Sequence, residues 1–166
     1  MVTEIIKDEF YRRLIEEGLT RIEKCLSLLS VEEIWHQENE NSNAVGNIIL
    51  HLCGNVRQYI QTGVYGQEDV RKRDNEFKTE SRIETKDLLS KITTVVTEAN
   101  AIVSALNPEA FKSNRKVQGF EENVTSIIIH VIEHFSYHVG QITFYTKLKK
   151  NVDTAYYAGL DLNASS

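Results

Sequence analysis

Ile127-Ile128-Ile129-His130-Val131-Ile132-Glu133-His134-Phe135-Ser136-Tyr137-His138-Val139-Gly140-Gln141-Ile142 is the stretch on which the reading of the fold turns. Its three histidines follow one another at four-residue steps. In a helix such neighbours are separated by only ~40° around the axis and ~6 Å along it, so they form one row. Gln141 and Tyr145 continue that row. Isoleucine, valine and phenylalanine occupy most of the remaining directions, which predicts a largely buried helix, from about Val124 to Lys149, whose polar row points inward or into a cleft.

Three further helical stretches lie upstream. Ile6, Phe10, Leu14, Ile15, Leu19, Ile22, Leu26 and Leu29 recur at three- and four-residue steps, predicting a helix over about Thr3 to Leu29. Ser30 with Glu33 then forms a capping box for a short turn through Trp35. A polar loop over 36–43 leads to a second helix, about Ala44 to Thr62, closing at Gly63. Residues 63–82 read as a loop rich in glycine and charge. The third helix runs from about Thr85 to Leu106, where Asn107-Pro108 stops it. Residues 109–121 lack a clear period and read as a loop or a strand-like excursion. The class is therefore all-α, a four-helix bundle over residues 1–150, followed by a C-terminal tail, 151–166, expected to be loosely ordered.

At 166 residues with 41% apolar and 26% charged side chains, the chain is sized for one domain with an ordinary core. The formal charge is −5, and the basic cluster Arg71-Lys72-Arg73 is surrounded by Asp69, Asp74 and Glu76. Nucleic-acid binding needs clustered cations, so no nucleic-acid partner is expected. No apolar run approaches the ~20 residues that span a bilayer, so no membrane association is expected. The N-terminal stretch reads as an amphipathic helix without a signal peptide's apolar region. Cys25 and Cys53, in no metal or redox spacing, are then expected as reduced core thiols in a cytoplasmic protein.

The histidines carry the chemistry. A buried imidazole left unpaired costs roughly 1–3 kcal/mol, and one metal ion satisfies several at once. Two histidines at i and i+4 can grip one ion from a single helical face. His130 and His138 are ~12 Å apart along the axis, too far to share an ion, so either His130–His134 or His134–His138 is the pair. A third ligand must come from another helix. His51, inside the apolar run Ile48-Ile49-Leu50-His51-Leu52-Cys53, is the candidate. Asn55, one turn on, faces the same way and is a candidate pocket residue. Cys53 lies ~200° around the helix from His51 and is directed elsewhere. His36, in a polar loop, reads as a solvated or capping residue. A lone histidine on such a helix is more often a satisfied core residue than a ligand; the pair together with His51 raises the metal reading to parity.

Two segments also resemble a known superfamily. Asn43-Ala44-Val45-Gly46-Asn47-Ile48-Ile49-Leu50-His51-Leu52-Cys53-Gly54-Asn55-Val56-Arg57-Gln58-Tyr59-Ile60 resembles the second helix of DinB/YfiT-like proteins, in particular a branch of unknown function. Glu133-His134-Phe135-Ser136-Tyr137-His138-Val139-Gly140-Gln141-Ile142 resembles the last-helix signature of that superfamily, and Asp69, Arg71, Asp74, Glu76 and Phe77 resemble the loop after helix two in that branch. The resemblance spans about residues 5–149. It implies an up-down-down-up bundle, frequently a homodimer, with metal ligands His51, His134 and His138. His130 then becomes a pocket or second-layer residue beside Gln141 and Asn55.

Three neutral imidazoles leave at least one coordination position open, the pattern of catalytic sites. Zinc and nickel suit such ligands best. Relatives in the superfamily include transferases and isomerases that use a low-molecular-weight thiol, which implies a metal-dependent S-transferase acting on small electrophiles. A metal-dependent hydrolase is the alternative chemistry, with Glu133 as its candidate base, although that residue reads better as a surface charge. Arg57 is a candidate partner for Glu133 or for an anionic substrate. The competing class is a non-catalytic helical stress-response or interaction protein.

Overall fold

The computed structural model describes residues 2–78 and 82–164. Helix α1 covers residues 2–28 as one continuous rod: Val2–Tyr11 and Thr20–Leu28 are α-helical, and Arg12–Leu19 between them has the wider turns of a π-helix. The capping box expected at Ser30 is present. Ser30 Oγ accepts from the Glu33 amide while the Glu33 carboxylate accepts from the Ser30 amide, starting the short helix α2, Val31–Ile34.

Helix α3 covers residues 45–64, α-helical over Val45–Val56 and π-helical over Arg57–Val64. The sequence places its end at Gly63, but Gly63 is buried inside it. The chain turns only after Tyr65, at Gly66, whose φ of 89° suits a residue without a side chain. The segment expected to be loop over 63–82 contains a short helix, α4, Arg73–Phe77. Its pattern is too brief to register as a period. Helix α5 is Thr85–Ala105, ended by Asn107-Pro108, where the Asn107 side chain caps a 3-10 turn, Pro108–Lys112.

The aperiodic stretch resolves into a hairpin: β1, Asn114–Val117, pairs antiparallel with β2, Phe120–Asn123. Gln118 and Gly119 both have positive φ (51° and 85°), the two-residue turn whose twist matches the flanking strands. Helix α6, Val124–Lys150, starts where Asn123 Oδ1 accepts from the Ser126 amide and stops at Asn151 in the left-handed region.

The four long helices form a ring in which α1 contacts α6, α6 contacts α3, α3 contacts α5 and α5 returns to α1. Phe10, Leu14, Ile22, Ile49, Leu52, Leu88, Ile92, Ile128 and Phe135 fill the centre from all four. The chain is thus mostly helical, with apolar stripes where the periodicity put them. The tail differs from expectation: Thr154 is buried, and the Tyr156 hydroxyl lies 3.2 Å from Cys25 Sγ and 2.9 Å from Thr143 Oγ1, so residues 154–156 are fastened across α1 and α6. Among the described residues, no helix is long and apolar enough to cross a membrane.

Candidate metal centre

The centre forms where α3 and α6 run side by side. One nitrogen each from His51, His134 and His138 lies within 4.8 Å of the others, a spacing that could hold one metal ion. The His51 and His134 Nε2 atoms are 3.0 Å apart, and the ring of His138 sits 5.0 Å from that of His51 and 4.6 Å from that of His134, centroid to centroid. His51 is buried within the apolar run of α3, with Phe77 packed against its ring; His134 and His138 are partly open.

The outer nitrogens of two of these rings are held from behind. His51 Nδ1 is 2.9 Å from Glu76 Oε2, and a carboxylate oxygen at that distance requires the nitrogen to carry the proton. Nε2 then presents its lone pair toward His134. Arg71 Nη2 also lies 3.2 Å from His51 Nδ1, but it donates to the same Glu76 Oε2 at 2.9 Å, so the two donors flank one acceptor. His138 Nδ1 is 2.8 Å from Gln141 Oε1, which accepts its proton and frees Nε2 in the same way. An ion's ligand histidines almost always have such partners, which fix tautomer and ring orientation.

Behind His51 the support is extensive. Arg71 and Glu76 pair at 2.7 Å with side chains only 6% and 9% exposed. Arg71 Nη1 donates to Gln58 Oε1, which also accepts from Gln118 Nε2, and Tyr59 donates its hydroxyl to Gln118 Oε1. Gln58 Nε2 donates to Asp69, lowering the Asp69 carboxyl, which in turn accepts from the Arg71 amide. Helix α4 is fastened to α3 by Asn47, whose amide donates to the Glu76 carbonyl, and Phe77 packs 5.1 Å from the His51 ring. Gly54 admits this arrangement: a Cβ there would lie 2.0 Å from Glu76 Oε1.

All three imidazoles are held neutral. Burial pushes His134 down to about 3, helped by the repulsion a second proton would meet if His138, His51 or His130 were charged, and by the Arg71 guanidinium. Burial lowers His51 against the opposing pull of Glu76, and lowers His138 against the Gln141 hydrogen bond. Neutral imidazole is the form that binds metal. The group fits a transition ion by its donor set as well as its spacing: borderline nitrogen donors throughout, with no hard oxygen among them.

His130 does not join the cluster. Its ring stacks between Tyr59 at 4.2 Å and His134 at 5.5 Å, and its Nε2 is buried without a hydrogen-bond partner. Asn55 Oδ1 is buried and unpartnered too. Arg57 donates to Gln61 rather than to Glu133, and Glu133 is exposed in a cleft with Arg13 and Tyr137. His36 is exposed beside Glu38, as a solvated residue should be. Cys53 is buried and faces away from the histidines. Composition and spacing gave no signal for Glu76, Arg71, Gln58 or Gln118; the family likeness touched Gln58, Arg71 and Glu76, without a role for any of them.

A helical bundle with this layout has a DinB-like fold. The crystal structure of the DinB-like protein YjoA from Bacillus subtilis matches it with a TM-score of 0.66 over 92% of this chain and 96% of that one, at 14% identity, a likeness of fold alone. The chain belongs to the family described as "Protein of unknown function (DUF1572)", whose profile matches residues 7–158. No curated protein matches the sequence.

Proposed function

We propose that this protein is a metal-dependent enzyme that holds one divalent transition ion, zinc or nickel, through His51, His134 and His138 and uses it on a small-molecule substrate. The observation that carries the reading is the convergence of three neutral imidazole nitrogens within 4.8 Å, with the far nitrogens of two rings already bound to Glu76 and Gln141. Side chains held from behind, with inner nitrogens turned toward one another, are arranged for something between them. When bound, the ion supplies Lewis acidity and lowers the pKa of a thiol or water that joins it.

Within that class, thiol transfer to a small electrophile fits better than hydrolysis. Hydrolysis asks for a general base, and the nearest carboxylate, Glu76, is committed to His51 and Arg71. Glu133 stands exposed in a different cleft. A thiol bound at such an ion would need only to lose its proton, which asks for no general base among these residues. In that reaction the thiol sulfur forms its bond to the electrophilic carbon, the thiol proton leaves to solvent, and the electrophile's leaving group departs or its double bond takes up a proton. Three neutral imidazoles would leave the charge of a bound ion undiminished, which would favour a thiolate over a thiol. A homodimer and a cytoplasmic setting are part of the same reading.

Metal analysis of the purified protein beside His134→Ala tests the site. The wild type is expected to carry about one ion per chain and the variant to lose it while keeping its helical circular dichroism. Metal retained by the variant places the ligands elsewhere, and metal absent from both favours a non-catalytic helical binding protein. Thiol consumption measured with a panel of electrophiles, with and without chelator, tests the reaction; turnover that ignores the chelator overturns it.

A further inference from the structure

On the far side of the Arg71–Glu76 pair from the histidines lies a cavity of about 320 Å³, between α3, the 69–76 segment and α5. None of the three clustered histidines lines it. We propose that this cavity is a binding site for a small organic anion, a carboxylate or phosphate carried on an apolar group. The chemistry of the walls makes the case.

Four cations, Arg57, Arg71, Lys72 and Lys91, line the cavity against two carboxylates, Asp69 and Glu76, in a chain whose overall charge is −5. Arg71 is spent on Glu76. Arg57 donates to the neutral Gln61, and Lys72 and Lys91 have no ion-pair partner among the described residues, so three further cations face one remaining carboxylate, Asp69, and the opening carries an excess of two positive charges. Concentrating like charge around a concavity with too few counter-charges is unfavourable for the protein alone, and it raises the local concentration of anions.

The interior is of the other character. Leu50, Ile83 and Val95 give it apolar walls, and the Cys53 thiol is part of its lining. Burial holds that thiol up at about 12 even though Lys91 and Arg57 pull it down, so sulfur brings no negative charge to neutralise the cations. A cavity with apolar walls, a few convergent charged groups and a volume near the small end of the usual range for ligand pockets, ~300–1,000 Å³, suits a small amphipathic molecule. Its charged end belongs at the Arg57, Lys72 and Lys91 rim, and its apolar end between α3 and α5.

The test uses the metal-loaded full chain. Hexanoate, phenyl phosphate and the uncharged hexanol are titrated by calorimetry and by backbone amide shifts, in the wild type and in the doubly reversed Lys72→Glu/Lys91→Glu. Both lysines are exposed, so the variant is expected to fold and to keep its metal content. The expected result is saturable binding of at least one anion, with shifts centred on Gly54, Cys53 and Val95. Hexanol is expected to bind at least about tenfold more weakly, and the reversed variant to lose about tenfold or more in affinity, the loss shrinking with added salt. The stronger anion distinguishes a carboxylate from a phosphate ligand. Equal binding of hexanol, shifts centred elsewhere, affinity that survives the charge reversal, or no saturable binding by either anion overturns the proposal. Metal content is measured in the same samples, so failure here is distinct from failure of the metal reading.

Discussion

His51 and His138 belong to the same cluster, yet they are supported in opposite ways. Behind His51 stands a buried carboxylate paired with a buried guanidinium, brought 25 residues along the chain by a five-residue helix. Behind His138 stands an exposed neutral amide three residues away on the same helix. The first is a charge-assisted bond in a dry setting whose removal strands a second charge. The second is local and wet, and its loss strands nothing. The two halves of one cluster therefore answer differently to perturbation: the His51 half is tied to the stability of the fold, and the His138 half only to the orientation of a ring.

Acid acts on both halves at once and should have the largest effect. The folded-state pKa of His134 is about 3, and those of His51 and His138 are also lowered, against an ordinary value of 6.5. The unfolded chain therefore binds more protons than the folded one as pH falls below that value. Stability of the metal-free protein is complete above about 6.5 and declines as the pH moves down toward 3. Between pH 7 and 5 histidines titrate in the unfolded chain largely ahead of carboxylates, so urea midpoints across that window isolate the effect. A midpoint that stays level from pH 7 to 5 would mean that the cluster is not buried neutral.

Removing one partner from the His51 half comes next. Glu76→Ala leaves Arg71 buried without a carboxylate and His51 Nδ1 without an acceptor, which should destabilise the fold by about 3–5 kcal/mol and reduce metal content. Urea denaturation of the metal-free variant reads the first effect apart from the second. A loss below about 1 kcal/mol would show that Arg71 finds water, and that the contrast between the halves is smaller than their burial indicates.

The same contrast explains what the sequence disclosed. His130, His134 and His138 were legible because a helix converts four-residue spacing into a row, and Gln141 was legible on the same ground. The long helices showed for the same reason. Glu76 was not legible as a support, because no period connects position 76 to position 51; the contact depends on α4 folding back, and a five-residue helix is too short to show periodicity. Gln118 was hidden more deeply, since it serves the site only because a two-residue turn places it against Gln58 and Tyr59. The expected closure at Gly63 failed because glycine there meets Val117 inside the helix rather than ending it. Local periodicity reveals what a helix does along its own axis. Contacts that bring separate segments together leave no such trace.

Two glycines sharpen the comparison at lower amplitude. An added Cβ at Gly54 would lie 2.0 Å from Glu76 Oε1 and 2.9 Å from Arg71 Nε, whereas at Gly140, on α6 within the His138 half, nothing lies within 4 Å. Gly54→Ala must therefore displace the buried pair and should cost about 1–3 kcal/mol, with weaker metal retention. Gly140→Ala only removes backbone freedom from an exposed helical position and should stabilise by roughly 0.5–1 kcal/mol. Thermal unfolding of the two variants side by side reads the difference; changes of the same sign would show that the Gly54 contact yields without effect on the pair.

The smallest effect on stability belongs to Gln141→Ala. The side chain is exposed, so its loss should move the unfolding free energy by no more than about 0.5 kcal/mol. Its Oε1 nevertheless holds the proton of His138 Nδ1, and without it the ring can rotate or change tautomer, presenting a proton where a lone pair is needed. Second-layer partners of this kind typically contribute 10–100-fold to metal affinity, so a loss of about tenfold is expected, measured by competition with a chromophoric chelator. Gln141→Glu provides the complement: it keeps an acceptor at the same reach and should restore most of the affinity. If Ala and Glu weaken binding alike, hydration already orients His138, and the outer support of the centre resides in Glu76 alone.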